Sequence, residues 1–315
     1  MPVKRKSYAV IGTGALGGFY GAMLHRAGLD VHFLLHSDYE HVRAQGLDVR
    51  SDRHGDLSIE RPNAYAHVKD LPVCDVVLVA LKTTNNHLLT ELLPSAAGPD
   101  SVVLMMQNGL GAEARAAEAV PDNAVLGGLA FLCSNKIGPG RIHHLDYGAV
   151  RIGEHTSDGS PGGITDRVRA VGTDFERTGL RVDLEEDLIT ARWKKLVWNM
   201  TYNGMCVVHE CTTDVLMNDP ALRAQCREIM EEVLAAAAGS GHPVEESFID
   251  FMMNTTDDMA AYKPSMLLDF ERGNSMELDA IYAAPLSVAR EVGVECPRIR
   301  ELYARLVEIS AGRGG

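Results

Sequence analysis

The sequence predicts an α/β fold in two parts, an N-terminal Rossmann-type doubly wound parallel sheet and a C-terminal all-helical domain. Three observations carry this. Short apolar runs alternate with helical patterns through the first half, a glycine-rich turn follows the first run, and strand signals nearly vanish beyond about Glu185. The boundary is placed there, giving residues 1–184 to the sheet domain and 185–315 to the helical one. A chain of 315 residues is long enough for two cores of ordinary size.

Tyr8-Ala9-Val10-Ile11 is an apolar run ending in glycine and reads as the first strand. A helical pattern follows from about Gly17 to Ala27, closed by Gly28 at the C′ position, whose left-handed backbone glycine tolerates best. Val31 to Leu35 is a second strand. Val76 to Leu81 is apolar throughout, as a parallel strand covered on both faces must be. Val102 to Met106 repeats that pattern, and Ala124 to Ala130 follows it more weakly. Arg141 to Gly153 reads as a hairpin and Thr165 to Thr178 as a helix. Helical periodicity then takes over in Leu188–Met217, Pro220–Gly239, Met266–Arg272, Leu278–Val292 and Pro297–Ile309. Prolines 220, 243, 264 and 297 fall at expected helix starts, and Gly241 and Gly293 at expected stops.

Composition removes several function classes. Lys and Arg number 30 against 43 Asp and Glu, a net charge of −13. Binding a nucleic-acid backbone requires a dense basic footprint, so no nucleic-acid partner is expected. No apolar run approaches the ~18 residues of a membrane span. The basic start Met1–Lys6 leads into apolar residues broken by Gly12 and Gly14, unlike a secretory leader, and the expected location is cytoplasmic. The six cysteines form no C-x-x-C pair, and the twelve histidines no H-E-x-x-H. Free buried thiols and no metal site are expected.

Gly12-Thr13-Gly14-Ala15-Leu16-Gly17 is a G-x-G-x-x-G directly after the first strand and opening the first helix. Gly12 suits the tight turn, Gly14 lets a pyrophosphate approach the backbone, and Gly17 allows close helix–strand packing. The helix N-terminus offers unpaired N–H groups to phosphate. The second strand should end near the adenosine ribose, where a carboxylate would favour NAD. His36-Ser37-Asp38 stands there instead, with Asp38 two residues beyond the expected place. His36, Ser37 and Arg43 favour a 2′-phosphate and hence NADP. NAD stays open, because a neutral histidine is a poorer phosphate ligand than a guanidinium. Lys82 and Asn108-Gly109-Leu110-Gly111 follow two further strands, where ligands of open α/β sheets bind.

In the helical half, Lys195, Asn199 and Asn203 are successive i, i+4 neighbours on one stripe. Leu196, Val197, Trp198, Met200 and Tyr202 cover most of the remaining circumference, so the helix should be buried nearly all round. An ammonium and two carboxamides are costly there without partners, and a ligand cleft explains them. Ser265, Asp269 and Glu277 follow in the last third.

Together these residues resemble the ketopantoate reductase (2-dehydropantoate 2-reductase) family. The likeness rests on the glycine loop at Gly12–Gly17, Lys82 after a central strand, Asn108–Gly111, the Lys195–Asn199–Asn203 stripe, and Ser265-Met266-x-x-Asp269 followed by Glu277. It spans roughly residues 7–300. The resemblance implies a cleft between two domains in which NADPH reduces 2-dehydropantoate to pantoate, in pantothenate biosynthesis. It implies Lys195 as proton donor, Asn199 and Asn203 on substrate polar groups, and Ser265 on the carboxylate. It places Asn108 on cofactor and substrate, Lys82 on the cofactor, and Glu277 by the cofactor and the lysine. With the apolar C-terminal helices, it also implies a homodimer. The chain departs from the family at His36, where an arginine is common, and at Thr212-Thr213, where a further asparagine falls.

Desolvation of Lys195 would lower its pKa and Glu277 would raise it, and the sequence leaves the winner open. Three rival readings remain. A paralogue would reduce another 2-keto acid. A β-hydroxyacid dehydrogenase would carry a glycine run before its lysine, whereas Leu188–Trp193 has none. A non-catalytic nucleotide sensor would need no lysine on a buried stripe.

Overall fold

The computed structural model describes residues 6–312, so the basic Met1–Arg5 stretch lies outside the described residues. The chain divides into two units. One is the chain up to Gln107 together with Ala112–Leu188; the other is Asn108–Gly111 with the chain from Ile189 on.

The first unit is built on a sheet whose strands are β1 (Ser7–Ile11), β2 (Asp30–Leu34), β3 (Leu47–Ser51), β4 (Leu57–Ile59), β5 (Asn63–Tyr65), β6 (Cys74–Val79), β7 (Ala97–Met105), β8 (Ala124–Gly138), β9 (Arg141–Glu154) and β10 (Val182–Glu185). Their order is β4-β3-β9-β8-β7-β6-β1-β2-β5, with β10 beside β9. The run β5-β2-β1-β6-β7-β8 is parallel throughout. Numbered along the chain, those six strands stand 3-2-1-4-5-6, the order of a doubly wound dinucleotide fold.

Side-chain alternation explains why Tyr8–Ile11 of β1 and Val76–Val79 of β6 are apolar at every position. Tyr8, Val10, Val76 and Leu78 enter one core with Phe19, Tyr20, Met23 and Leu24 of α1 (Ala15–Arg26). Ala9, Ile11, Val77 and Val79 enter a second core with Leu89, Leu93, Ala112 and Ala116 of the Leu89–Ala96 and Ala112–Ala119 helices. Burying one such aliphatic side chain contributes roughly 1.5–3 kcal/mol, so both faces must be covered. The strand order switches between β1 and β6, and at the carboxyl ends of such strands open sheets receive their ligands.

The expected hairpin over Arg141–Gly153 is one strand, β9, paired antiparallel with β8. Asp146-Tyr147-Gly148 resembles a turn in sequence, but the ladder absorbs it as a bulge. Phe131 faces Ala149 and Leu132 faces Tyr147, which leaves Gly148 over, with φ +120°. The true turn lies at Gly140, φ +62°.

The second unit is helical. Leu188–Met217 is not continuous: an α-helix Leu188–Trp198 passes into a π turn Asn199–Asn203, then α-helices Gly204–Val208 and Thr213–Asn218. Pro220–Gly239 runs as expected, with Asp219 accepting from the Ala221 and Leu222 N–H groups at 2.8 and 3.0 Å. Pro243 starts no helix; Ser247–Asp257, absent from the periodicity reading, begins four residues later. Ser265–Glu271 and Pro297–Ala311 follow, and the stretch from Leu278 divides into a π turn Asp279–Ala283 and a helix Ala284–Glu291. Trp193, Val197, Tyr202, Cys206, Met230, Ile281 and Leu306 are part of one core.

Candidate active site

In the sheet unit, Gly12 ends β1 with φ +92°, and a Cβ there would stand 2.6 Å from the Leu81 nitrogen and 2.8 Å from the Ala80 carbonyl carbon. Backbone geometry and the neighbouring strand end thus both require glycine. A Cβ on Gly17 would collide with the Gly12 carbonyl oxygen. Gly14 has open space around it. It precedes α1 without a side-chain cap, and the first turn, which begins with Ala15 and Leu16, carries no acidic residue. Uncapped N–H groups over an open backbone suit a pyrophosphate. The Thr13 hydroxyl donates to the Leu34 carbonyl at 3.0 Å and ties this loop to the end of β2.

Past β2, His36 and Ser37 are exposed and Asp38 is buried. The Asp38 carboxylate receives the Lys136 ammonium at 2.7 Å, the Gly140 N–H at 2.9 Å and the Ser37 hydroxyl at 3.1 Å. Burial raises its pKa, but these partners outweigh burial and hold the carboxyl below its usual range. Asp38 is therefore bound into the β8–β9 turn rather than offered to a ribose. Lys82 is exposed and precedes the short Thr83–Leu88 turn, its carbonyl accepting from the Asn85 N–H at 2.9 Å. Gln107, buried after β7, donates to the Leu81 carbonyl at 2.8 Å and to Asn86 Oδ1 at 2.7 Å, locking two strand ends together.

In the helical unit, the Leu110 N–H donates to the Ala280 carbonyl at 3.0 Å, so the Asn108–Gly111 loop rests on the Asp279–Ala283 turn. Glu277, buried, lies just before that turn. Lys195 is half-buried as a residue, but its ammonium is enclosed. Burial, reinforced by the Arg192 charge and opposed by Glu277, pushes its pKa down to about 7. Desolvation wins the contest that the sequence left open. Arg192, almost fully buried three residues before Lys195, escaped the sequence reading although its spacing puts it on the same face.

Asn199 and Asn203 are both buried, and Asn203 Oδ1 has no hydrogen-bond partner. The π turn alters the expected stripe in a useful way. In a straight α-helix each four-residue step overshoots a turn by about 40°, so Asn203 would stand about 80° round from Lys195. The wider π turn takes back part of that drift. Ser265, half-buried, opens the Ser265–Glu271 helix, which packs against the Asn199–Asn203 turn. Thr213 does not stand in for the family's further asparagine. Its N–H donates to the Tyr262 carbonyl at 3.1 Å and its Oγ1 accepts from the Tyr262 N–H at 3.3 Å.

Among the described residues no cluster of His, Cys, Asp and Glu could hold a metal ion, and no helix is long and apolar enough to cross a membrane.

A family model described as ketopantoate reductase PanE/ApbA matches residues 8–157, and its C-terminal counterpart matches residues 187–310. The chain is 49% identical over 304 residues to a 2-dehydropantoate 2-reductase of Nostoc sp., covering 96% of this chain and 95% of that one. It is similar to the crystal structure of 2-dehydropantoate 2-reductase from Geobacter metallireducens, with a TM-score of 0.91 at 37% identity over 96% of this chain and 99% of that one. For the Methylococcus capsulatus enzyme of the same name the TM-score is 0.90 at 34% identity, with 98% of each chain covered.

Proposed function

The chain belongs to the ketopantoate reductase family, and from that premise we propose that it reduces 2-dehydropantoate to pantoate with NADPH, a step of pantothenate biosynthesis. It is an oxidoreductase dependent on a nicotinamide dinucleotide. That cofactor, when bound, supplies the hydride for the keto carbon. Gly12, Thr13, Gly14, Ala15, Leu16 and Gly17 hold its pyrophosphate, His36 reads the adenosine ribose, and Lys82, Asn108 and Glu277 meet the remainder. The engagement of Asp38 with Lys136 and Gly140 favours NADPH, because it takes the nearest carboxylate away from a free 2′-hydroxyl.

Negative charge grows on the keto oxygen as the carbon is reduced. The Lys195 ammonium faces it as a hydrogen-bond donor and then gives up its proton, which a pKa of about 7 makes easy near neutrality. Asn199 and Asn203 bind polar groups of the substrate, and Ser265 its carboxylate. Glu277 keeps the lysine charged until transfer. The observation that carries this reading is Lys195 one turn before two buried carboxamides, one of whose oxygens lacks a donor. A substrate hydroxyl would satisfy it. The same reading extends to a cytoplasmic homodimer, whose mass in solution checks the second part.

The test is oxidation of NADPH and of NADH with 2-dehydropantoate and a panel of other 2-keto acids. Turnover of 2-dehydropantoate, faster with NADPH, is the expected result. Turnover of a different 2-keto acid alone would overturn the substrate and keep the Lys195 chemistry. Tight cofactor binding with no turnover would overturn both.

A further inference from the structure

Among the described residues the helical unit contains two π turns, and each follows a residue of the candidate site: Asn199–Asn203 after Lys195, and Asp279–Ala283 after Glu277. Pro285, just past the second turn, has no N–H for the Ile281 carbonyl and disturbs α geometry there, whereas the first turn contains neither glycine nor proline. A side chain accounts for the first. The Tyr282 hydroxyl, carried by the second π turn, donates to the Met200 carbonyl at 2.7 Å. The Gly204 N–H donates to the Thr201 carbonyl, three residues back. Met200 C=O and Gly204 N–H are the pair that an uninterrupted α-helix would join to each other. Here the carbonyl accepts from the phenol and the N–H turns to Thr201 instead.

The surroundings fit this wedge closely. A Cβ on Gly204 would collide with the Tyr282 hydroxyl and stand 2.8 Å from Leu302 Cδ2. Tyr282 is fully buried, with its ring stacked on Tyr303 at a centroid distance of 6.2 Å. Ala280, two residues before Tyr282, receives the Leu110 N–H. A path of backbone and hydroxyl bonds therefore runs from the Asn108 loop through one π turn into the other.

We propose that Tyr282 is a positioning residue, whose hydroxyl holds open the Asn199–Asn203 turn and thereby sets where Lys195, Asn199 and Asn203 stand. The inference rests on the reading of those three as the reacting and substrate-binding groups. Tyr282→Phe removes the oxygen and keeps the ring. The Met200 carbonyl then loses its donor or the turn recloses toward α geometry, and either outcome moves the stripe. Tyr303→Phe, which alters the neighbouring ring, is the control.

Amide hydrogen exchange over residues 199–205 in the free protein is one readout. The other is kcat, KM and the pH profile with whichever 2-keto acid the wild type turns over best. In Tyr282→Phe, exchange in that segment changes about fivefold or more while other helices exchange as in the wild type. The kcat falls about tenfold with a smaller change in KM, and the high-pH limb of kcat moves because the enclosure of Lys195 has changed. Tyr303→Phe does none of this. Unchanged exchange over 199–205 overturns the proposal, as does a fall in kcat that follows Tm with the pH limb unmoved. If the wild type turns over no 2-keto acid, the functional reading fails on its own, and exchange alone decides whether Tyr282 holds the turn.

Discussion

The Leu110 N–H donates to the Ala280 carbonyl at 3.0 Å, and Gly109 makes that approach feasible. Gly109 has φ +84°, and a Cβ there would collide with the Ala280 carbonyl and stand 2.7 Å from the Ala280 Cβ. The carbonyl is backbone and the Cβ is fixed directly to it, so neither can swing aside as a longer side chain can. Gly109→Ala combines a left-handed strain of about 1–3 kcal/mol with displacement of the Asn108 loop. We expect Tm to fall by several degrees and kcat by more than tenfold. Wild-type values of both would mean that the loop finds another seat without loss.

Lys195 must be protonated to donate to the keto oxygen, and its pKa stands at about 7. The reductive kcat should therefore decline as pH rises through about 7. Lys195→Ala should lose on the order of 10²-fold or more in kcat at neutral pH. Glu277 opposes the depression, so Glu277→Gln should move the high-pH limb to lower pH. A limb that stays put in Glu277→Gln, or a flat profile across neutrality in the wild type, would detach the rate from the lysine.

Part of this site is legible in the sequence because its constraints are local. Gly12 and Gly17 are each required by backbone within a few residues or by an adjacent strand end, and Lys195 and Asn199 are one helical turn apart. What the sequence conceals is held from far away. The π turn at Asn199–Asn203 depends on Tyr282, 82 residues beyond Met200. Asp38 resembles a ribose ligand until Gly140, 102 residues later, is found bonded to it. The bulge at Gly148 reads as a turn because a polar residue and a glycine serve either purpose. Asn108–Gly111 follows a strand of one unit yet belongs to the other, through the Ala280 carbonyl and the packing of Leu110 on the helical core.

The depressed lysine also has a stability signature. Its folded pKa of about 7 lies below the ordinary 10.5, so the charged lysine disfavours the folded state. That penalty is full below pH 7 and fades as pH rises from 7 towards 10.5, where the folded chain has released a proton that the unfolded chain keeps. Lys195→Met should raise stability by on the order of 1–3 kcal/mol near pH 6 and by less near pH 9. Thermal melts of both proteins at the two pH values check this. An equal gain at both would show that the ammonium is not desolvated in the folded chain.

Cofactor choice separates two neighbours, His36 and Asp38. His36 is exposed past β2, where a fixed guanidinium would pair with a 2′-phosphate better than a neutral imidazole does. His36→Arg should raise the preference for NADPH over NADH, measured as the ratio of kcat/KM values, by about tenfold. Asp38 has its carboxylate on Lys136, Gly140 and Ser37, and so acts on the fold instead. Asp38→Asn should lower Tm, since it replaces the buried carboxylate by an amide and strips Lys136 of its ion pair at a cost of about 1–3 kcal/mol, and should leave the ratio near its wild-type value. The reverse pattern, a changed ratio at full stability, would mean that Asp38 reads the ribose and that the β8–β9 turn holds without it.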